Sequence, residues 1–222
     1  MRRPRRPATG GSIRRARRLV RRALAALGLL AILSASVTAQ ERVIVAFGDS
    51  LTAGLGVPAE ESYPARLGAR LRAEGYPYRV VNAGVSGDTT AGGLRRVDWA
   101  LRLRPDIVIV ELGANDTLRG QDLSAVRANL DQIVARLQSA GARVLIAGMR
   151  LPVNYGDRYG AEFQRLYETV AKQRGAAVMP FFLEGVAGDP RLNQLDGIHP
   201  TGEGYRLIVD RLWPHLRPLL HR

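Results

Sequence analysis

Val43-Ile44-Val45-Ala46-Phe47 runs without a polar interruption into Gly48-Asp49-Ser50-Leu51. A short apolar run rich in β-branched side chains, closed by glycine and turn-forming polar residues, predicts a strand buried on both faces. Similar runs recur at Tyr78 to Asn82, Asp106 to Val110, Val144 to Ala147 and Ala177 to Met179. Helix-length segments separate them: Tyr63 to Arg72, Leu94 to Leu103, Leu123 to Gln138 and Phe163 to Lys172, with Tyr205 to Leu216 closing the series. This alternation predicts an α/β class, a three-layer α/β/α sandwich around a parallel sheet of about five strands.

In such a sheet, ligands bind outside the carboxyl ends of the strands, and the unusual polar clusters fall there. Gly48-Asp49-Ser50 follows the first strand, Gly84-Val85-Ser86-Gly87-Asp88 the second, and Gly113-Ala114-Asn115-Asp116 the third. Asp196-Gly197-Ile198-His199 precedes the last helix. Each has an ordinary structural reading when taken alone. Ser50 could cap a helix, Gly87 could occupy a left-handed turn, Asn115 and Asp116 could satisfy nearby amides, and Asp196-Gly197 could simply be a turn. Asp88 and Asp116 read as loop-holding residues, and Asp49 is ambiguous. The three histidines, His199, His215 and His221, all lie in the last stretch of the chain, and only His199 has an acid three residues before it. Serine, imidazole and carboxylate together predict nucleophilic acyl chemistry, because the imidazole takes the hydroxyl proton during attack and the acid orients the imidazole. Ser86 is expected to be a loop serine, and His215 and His221 to have no chemical part.

Composition narrows the function classes. The first 22 positions hold ten arginines and no acid, and the apolar run Ala23 to Leu33 leads into small residues ending Val37-Thr38-Ala39. This layout predicts an export signal over 1–39, cleaved after Ala39, because a spanning helix needs about 20 apolar residues. The paired arginines also suit twin-arginine export. Without the leader, 23 basic residues face all 20 acids and the formal net charge falls from +13 to +3. The basic balance is therefore mostly a targeting feature, and no basic stripe with interleaved aromatics remains to suggest nucleic-acid binding. The absence of cysteine excludes thiolate catalysis, disulfides and Cys-ligated zinc. No metal-ligand spacing is present, and no cofactor fingerprint follows the first strand. Residues 40–222 read as one domain, expected to be monomeric, with transient contact to a membrane surface compatible with the composition.

Taken together, Gly48-Asp49-Ser50-Leu51, Gly87 within Ser86-Gly87-Asp88-Thr89, Gly113-Ala114-Asn115-Asp116 and Asp196-Gly197-Ile198-His199-Pro200 resemble the four blocks of the SGNH (GDSL) hydrolases, in order. Leu118-Arg119-Gly120, Arg150 to Gly156 and Pro180-Phe181-Phe182 resemble the secreted bacterial thioesterase, lysophospholipase and arylesterase branch, from which Ala114 departs where a second glycine is common. The resemblance implies a flavodoxin-like SGNH fold over 40–222. It implies Ser50 as nucleophile, His199 as base, Asp196 as orienting acid, and the Ser50 amide, Gly87 amide and Asn115 side chain as oxyanion donors. Leu118, Leu151 and Tyr155 are expected to wall an acyl site. The implied reaction is hydrolysis of a small acyl ester or lipid-like substrate, such as an aryl ester, lysophospholipid or thioester, through an acyl-Ser50 intermediate. The nucleophile elbow Gly-x-Ser-x-Gly of α/β-hydrolases is absent. The competing readings are a carbohydrate O-deacetylase of the same fold, a flavodoxin-like binding protein holding phosphate with Ser50 and Thr52, and a non-catalytic lipid- or glycan-binding relative.

Overall fold

The structure, a computed structural model, describes residues 42–151 and 156–222. The leader expected at 1–39 and the proposed wall residue Tyr155 lie outside the described residues.

Five strands form one parallel sheet: β1 (Arg42–Gly48), β2 (Tyr78–Gly84), β3 (Ile107–Glu111), β4 (Arg143–Ala147) and β5 (Ala177–Met179), in the order β2-β1-β3-β4-β5. Central β3 is buried along its whole length, whereas edge strand β2 mixes buried, half-buried and exposed positions. This is why the middle strands read as continuous apolar runs and Arg79 and Asn82 interrupt the edge one.

The helices are α1 (Ser50–Ala53), α2 (Tyr63–Ala73), α3 (Thr90–Arg102), α4 (Ala114–Leu118), α5 (Leu123–Ser139), α6 (Asp157–Arg174) and α7 (Gly202–Leu216). Helix α3 packs on α5 and α5 on α6, while α2 packs on α7. Parallel crossovers are right-handed. The chain therefore lays α2 on one face as it winds from β1 out to β2, and α3, α5 and α6 on the other as it winds back through β3 to β5. On the α2 side, the fully buried Tyr63 ring meets Phe182 edge to face, with centroids 5.2 Å apart.

The long helices appear where the periodicity places them, with one informative difference. Helix α3 begins at Thr90 rather than Leu94, because the Thr89 hydroxyl accepts from Gly92 N at 3.1 Å and caps the helix there. Gly92 and Gly93 disguise that first turn as loop. The direction of winding reverses between β1 and β3, and a crevice opens at their carboxyl ends where it does so.

Candidate active site

Ser50 is the first residue of α1, directly beyond β1, and is half-buried. Asp49 caps this short helix, its Oδ1 accepting from Leu51 N at 3.0 Å. A side chain at residue 48 would crowd Thr52 Oγ1 and place its Cβ 2.6 Å from Glu111 Oε2, so the turn after β1 requires glycine. Across the crevice, His199 Nε2 lies 2.9 Å from Ser50 Oγ, and His199 Nδ1 lies 2.7 Å from Asp196 Oδ2. The other Asp196 oxygen accepts from the backbone of Ile198 at 2.9 Å and His199 at 3.0 Å. Those two amides, with the imidazole, hold the Asp196 carboxyl down at about 2, so it is ionised across the neutral range. A neutral imidazole with its proton on Nδ1 would then direct the Nε2 lone pair at the serine hydroxyl.

Two further loops meet the Gly48-Asp49-Ser50 turn, the first through Val85 N, which donates to Gly48 O at 3.0 Å. Gly87, after β2, has φ +78°, a conformation that favours glycine, and its carbonyl accepts from Arg119 Nη2 at 2.8 Å. Asn115 lies in the first turn of α4, after β3, and its Nδ2 donates to Asp49 Oδ2 at 2.9 Å. Asp49 is therefore bonded to the Ser50 turn through one oxygen and to Asn115 through the other.

Two side chains that the sequence did not single out brace these loops. From α3, Arg96 donates to Gly48 O at 2.8 Å, Ala83 O at 2.8 Å and Asp88 Oδ2 at 2.7 Å, with its guanidinium carbon 4.0 Å from the Phe47 ring centroid. One planar fork thus ties together the ends of β1 and β2 and the residue after Gly87. Spacing gives a weak signal: Asp88, Gly92 and Arg96 recur at four-residue intervals, one helical stripe. Glu111, fully buried at the end of β3, accepts at Oε2 from Thr52 Oγ1 at 2.8 Å and from Asp49 N at 3.3 Å. Its signal was an acid ending an otherwise apolar strand. Burial pushes the Asp49 carboxyl up to about 6 and holds that of Glu111 well above the ordinary carboxylate range, the nearby Asp49 charge adding to the effect on Glu111.

Of the proposed walls, Leu118 is exposed at the end of α4 and Leu151 is half-buried against the core. Asp116 accepts from Thr90 N at 2.8 Å and Thr90 Oγ1 at 2.6 Å, joining the α4 loop to the start of α3. Ser86 is exposed in the turn after β2, and the imidazole of His199 bonds to Ser50. Among the described residues, no group of three or more His, Asp and Glu side chains could hold a metal ion, and no helix is long and apolar enough to cross a membrane.

Comparison with known proteins agrees with this geometry. Residues 46–207 match the GDSL-like Lipase/Acylhydrolase family. Esterase TesA of Pseudomonas aeruginosa is 44% identical over 200 residues, covering 90% of this chain and 100% of that protein. Thioesterase 1/protease 1/lysophospholipase L1 of Escherichia coli K12 is 37% identical over 193 residues, covering 86% of this chain and 91% of that protein. The crystal structure of the psychrotrophic esterase EstA from Pseudoalteromonas sp., inhibited by monoethylphosphonate, superposes with a TM-score of 0.76 at 34% identity, covering 80% of this chain and 97% of that one. A family match spanning most of the described residues, with relatives aligned over nearly their full lengths, places the chain in the GDSL-like lipase/acylhydrolase family.

Proposed function

We propose that this chain is a serine esterase that cleaves acyl esters through a covalent acyl-Ser50 intermediate. The observation that carries this reading is the unbroken series Ser50 Oγ, His199 and Asp196, with contacts of 2.9 and 2.7 Å. His199 takes the Ser50 proton as Oγ attacks the carbonyl carbon, then returns it to the leaving oxygen or sulfur as that bond breaks. In the second half, His199 removes a proton from water as its oxygen attacks the acyl carbon, then gives that proton to Ser50 Oγ as the acyl carbon–Oγ bond breaks and the acid leaves. The oxyanion formed at each attack is met by the Ser50 and Gly87 amides and by Asn115, whose amide nitrogen carries a second hydrogen beyond the one given to Asp49.

The substrate reading rests on the rim. Leu55, Val85, Leu118, Leu195 and Ile198 are exposed large apolar side chains on the loops around Ser50, and only Trp99 of this class among the described residues lies elsewhere. An apolar margin around a polar centre suits an acyl chain, with Leu118 and Leu151 among its walls, and suits brief contact with a lipid surface. Names among the relatives, esterase and thioesterase/lysophospholipase, support ester and thioester substrates. We assign residues 1–39 to an export signal, so that the mature monomer 40–222 works outside the cytoplasm on lysophospholipids, aryl esters and short acyl esters.

A panel of chromogenic esters, lysophospholipids, thioesters and acetylated glycans, assayed with the native protein and Ser50→Ala, tests this reading. Turnover of medium-chain esters that disappears in S50A, together with phosphonate labelling of Ser50, supports it. Hydrolysis confined to acetylated glycans would replace the substrate class, and an active S50A would remove the mechanism. An intact mass for exported protein that begins at Gln40 supports the leader; retention of residues 1–39 overturns it.

A further inference from the structure

Beneath the proposed nucleophile lie two carboxyls that the acyl-transfer steps do not use. Asp49 is 1% exposed and Glu111 0%, and among the described residues neither is ion-paired with an arginine or lysine. Two buried anions side by side without a cation would be severely unfavourable, so the pair retains a proton.

The hydrogen bonds say which carboxyl carries it. Asp49 receives one donor on each oxygen, Leu51 N on Oδ1 and Asn115 Nδ2 on Oδ2, the arrangement that stabilises a carboxylate. Glu111 receives both of its donors on Oε2, while Oε1 meets no donor among the described residues, and the hydrogen bond between the two carboxyls favours the charged form of Asp49 and the neutral form of Glu111. An anionic oxygen left bare in the interior costs far more than a neutral one. The remaining titratable groups within electrostatic reach of Glu111 are the phenols of Tyr63, Tyr167 and Tyr205, all pushed up by burial and therefore uncharged.

We propose that Glu111 is a neutral carboxylic acid in the working enzyme and acts as a positioning residue. It fixes the Ser50 turn through Thr52 Oγ1 and Asp49 N, and it leaves Asp49 as the single buried anion that orients Asn115. Glu111 is held in place by the sheet, since it pairs with Gly48 in the β1–β3 register and its carboxyl fills the space over that glycine. The positioning role rests on the Ser50–Asn115 reading given above; the location of the proton does not.

Glu111→Gln and Glu111→Leu, with Ser50→Ala alongside, separate these claims. The infrared carbonyl band of a protonated carboxylic acid, present in the native protein, is expected to vanish in E111Q and persist in S50A. E111L is expected to lower kcat by roughly 10²-fold with little change in KM, the scale of an ångström-sized misplacement. The neutral isostere E111Q should restore kcat to within about threefold of the native enzyme. Persistence of the band in E111Q, or its absence from the native protein, overturns the neutral-acid assignment even if E111L fails to fold. Loss of kcat in E111Q as deep as in E111L overturns the positioning role. An active S50A also overturns that role, because the catalytic reading fails, while the infrared band still decides the proton.

Discussion

Asn115 Nδ2 and Asp49 Oδ2 are joined by a 2.9 Å hydrogen bond across the crevice between the ends of β1 and β3. The turn of the proposed nucleophile Ser50 and the proposed oxyanion donor are therefore parts of one bonded unit, although Asp49 and Asn115 stand 66 positions apart in sequence.

Asn115→Ala is expected to lower kcat by roughly 10²–10³-fold, about 2.7–4 kcal/mol of barrier, while KM changes much less. As the proposed oxyanion donor, the amide would meet the developing oxyanion more strongly than the resting carbonyl, so its loss should fall on the transition state. Asn115→Asp is expected to be worse, because it sets a carboxylate beside both Asp49 and the oxyanion. Steady-state kinetics on one chromogenic ester checks this; a change confined to KM would make Asn115 a binding residue.

Asp49→Asn should change both stability and rate. Burial raises the folded Asp49 carboxyl to about 6 from the 3.8 of an ordinary aspartate, so the folded chain binds this proton more tightly than the unfolded one. Stability from this group is then greatest in acid and falls as pH rises from about 4 through 6. Urea titrations of D49N across that range should show a shallower fall with pH than the native protein. The variant's kcat should drop, since an amide NH2 directed at Asn115 Nδ2 sets donor against donor; equal pH slopes in the two proteins would refute the buried charge.

Asp196→Asn should lower kcat by roughly 10²–10⁴-fold, because an amide facing His199 Nδ1 favours the tautomer that cannot accept from Ser50. Its Oδ1 can still take both loop amides, so the loop should keep its shape. Normal turnover in this variant would remove Asp196 from the mechanism.

Arg96→Lys should lower kcat about tenfold and Arg96→Met more, because an ammonium cannot reproduce the fork that reaches two carbonyls and Asp88 at once. Thermal melts run beside the kinetics provide the check: a loss of melting temperature with unchanged kcat would make Arg96 a fold brace only.

Much of this was readable from the chain. The buried strands carried their own pattern, and Ser50, His199 and Asp196 stood in motif blocks whose order brought them to one rim. Arg96 and Glu111 did not stand out. Adjacent Arg95 and Arg96 look alike in sequence, yet Arg95 is exposed and Arg96 turns inward to bond residues up to 48 positions away. Glu111 looked like the polar end of a strand, and its effect depends on a register with Gly48 that composition does not encode. Local chemistry leaves local marks; partners brought together by the sheet leave few. The same holds for α1 and α4, helices of 4 and 5 residues, too short for a periodic signal.

Asp196 uses one oxygen to close the loop through Ile198 N and His199 N and the other to seat the imidazole. Asp196 and His199 therefore form a compact cassette, closed by bonds within four residues and joined to Gln194 N through the His199 carbonyl at 2.8 Å. What the fold must supply is the cassette's distance from Ser50, and Gln194 supplies a fastening: its Nε2 donates to Leu55 O at 2.7 Å, beside the nucleophile's helix, and to Pro200 O at 3.0 Å, at the cassette's own foot. Exposed rim positions outside these bonds, such as Val85 and Leu118, can change in chemistry without touching that fastening, which gives the scaffold a route to new substrates at constant mechanism.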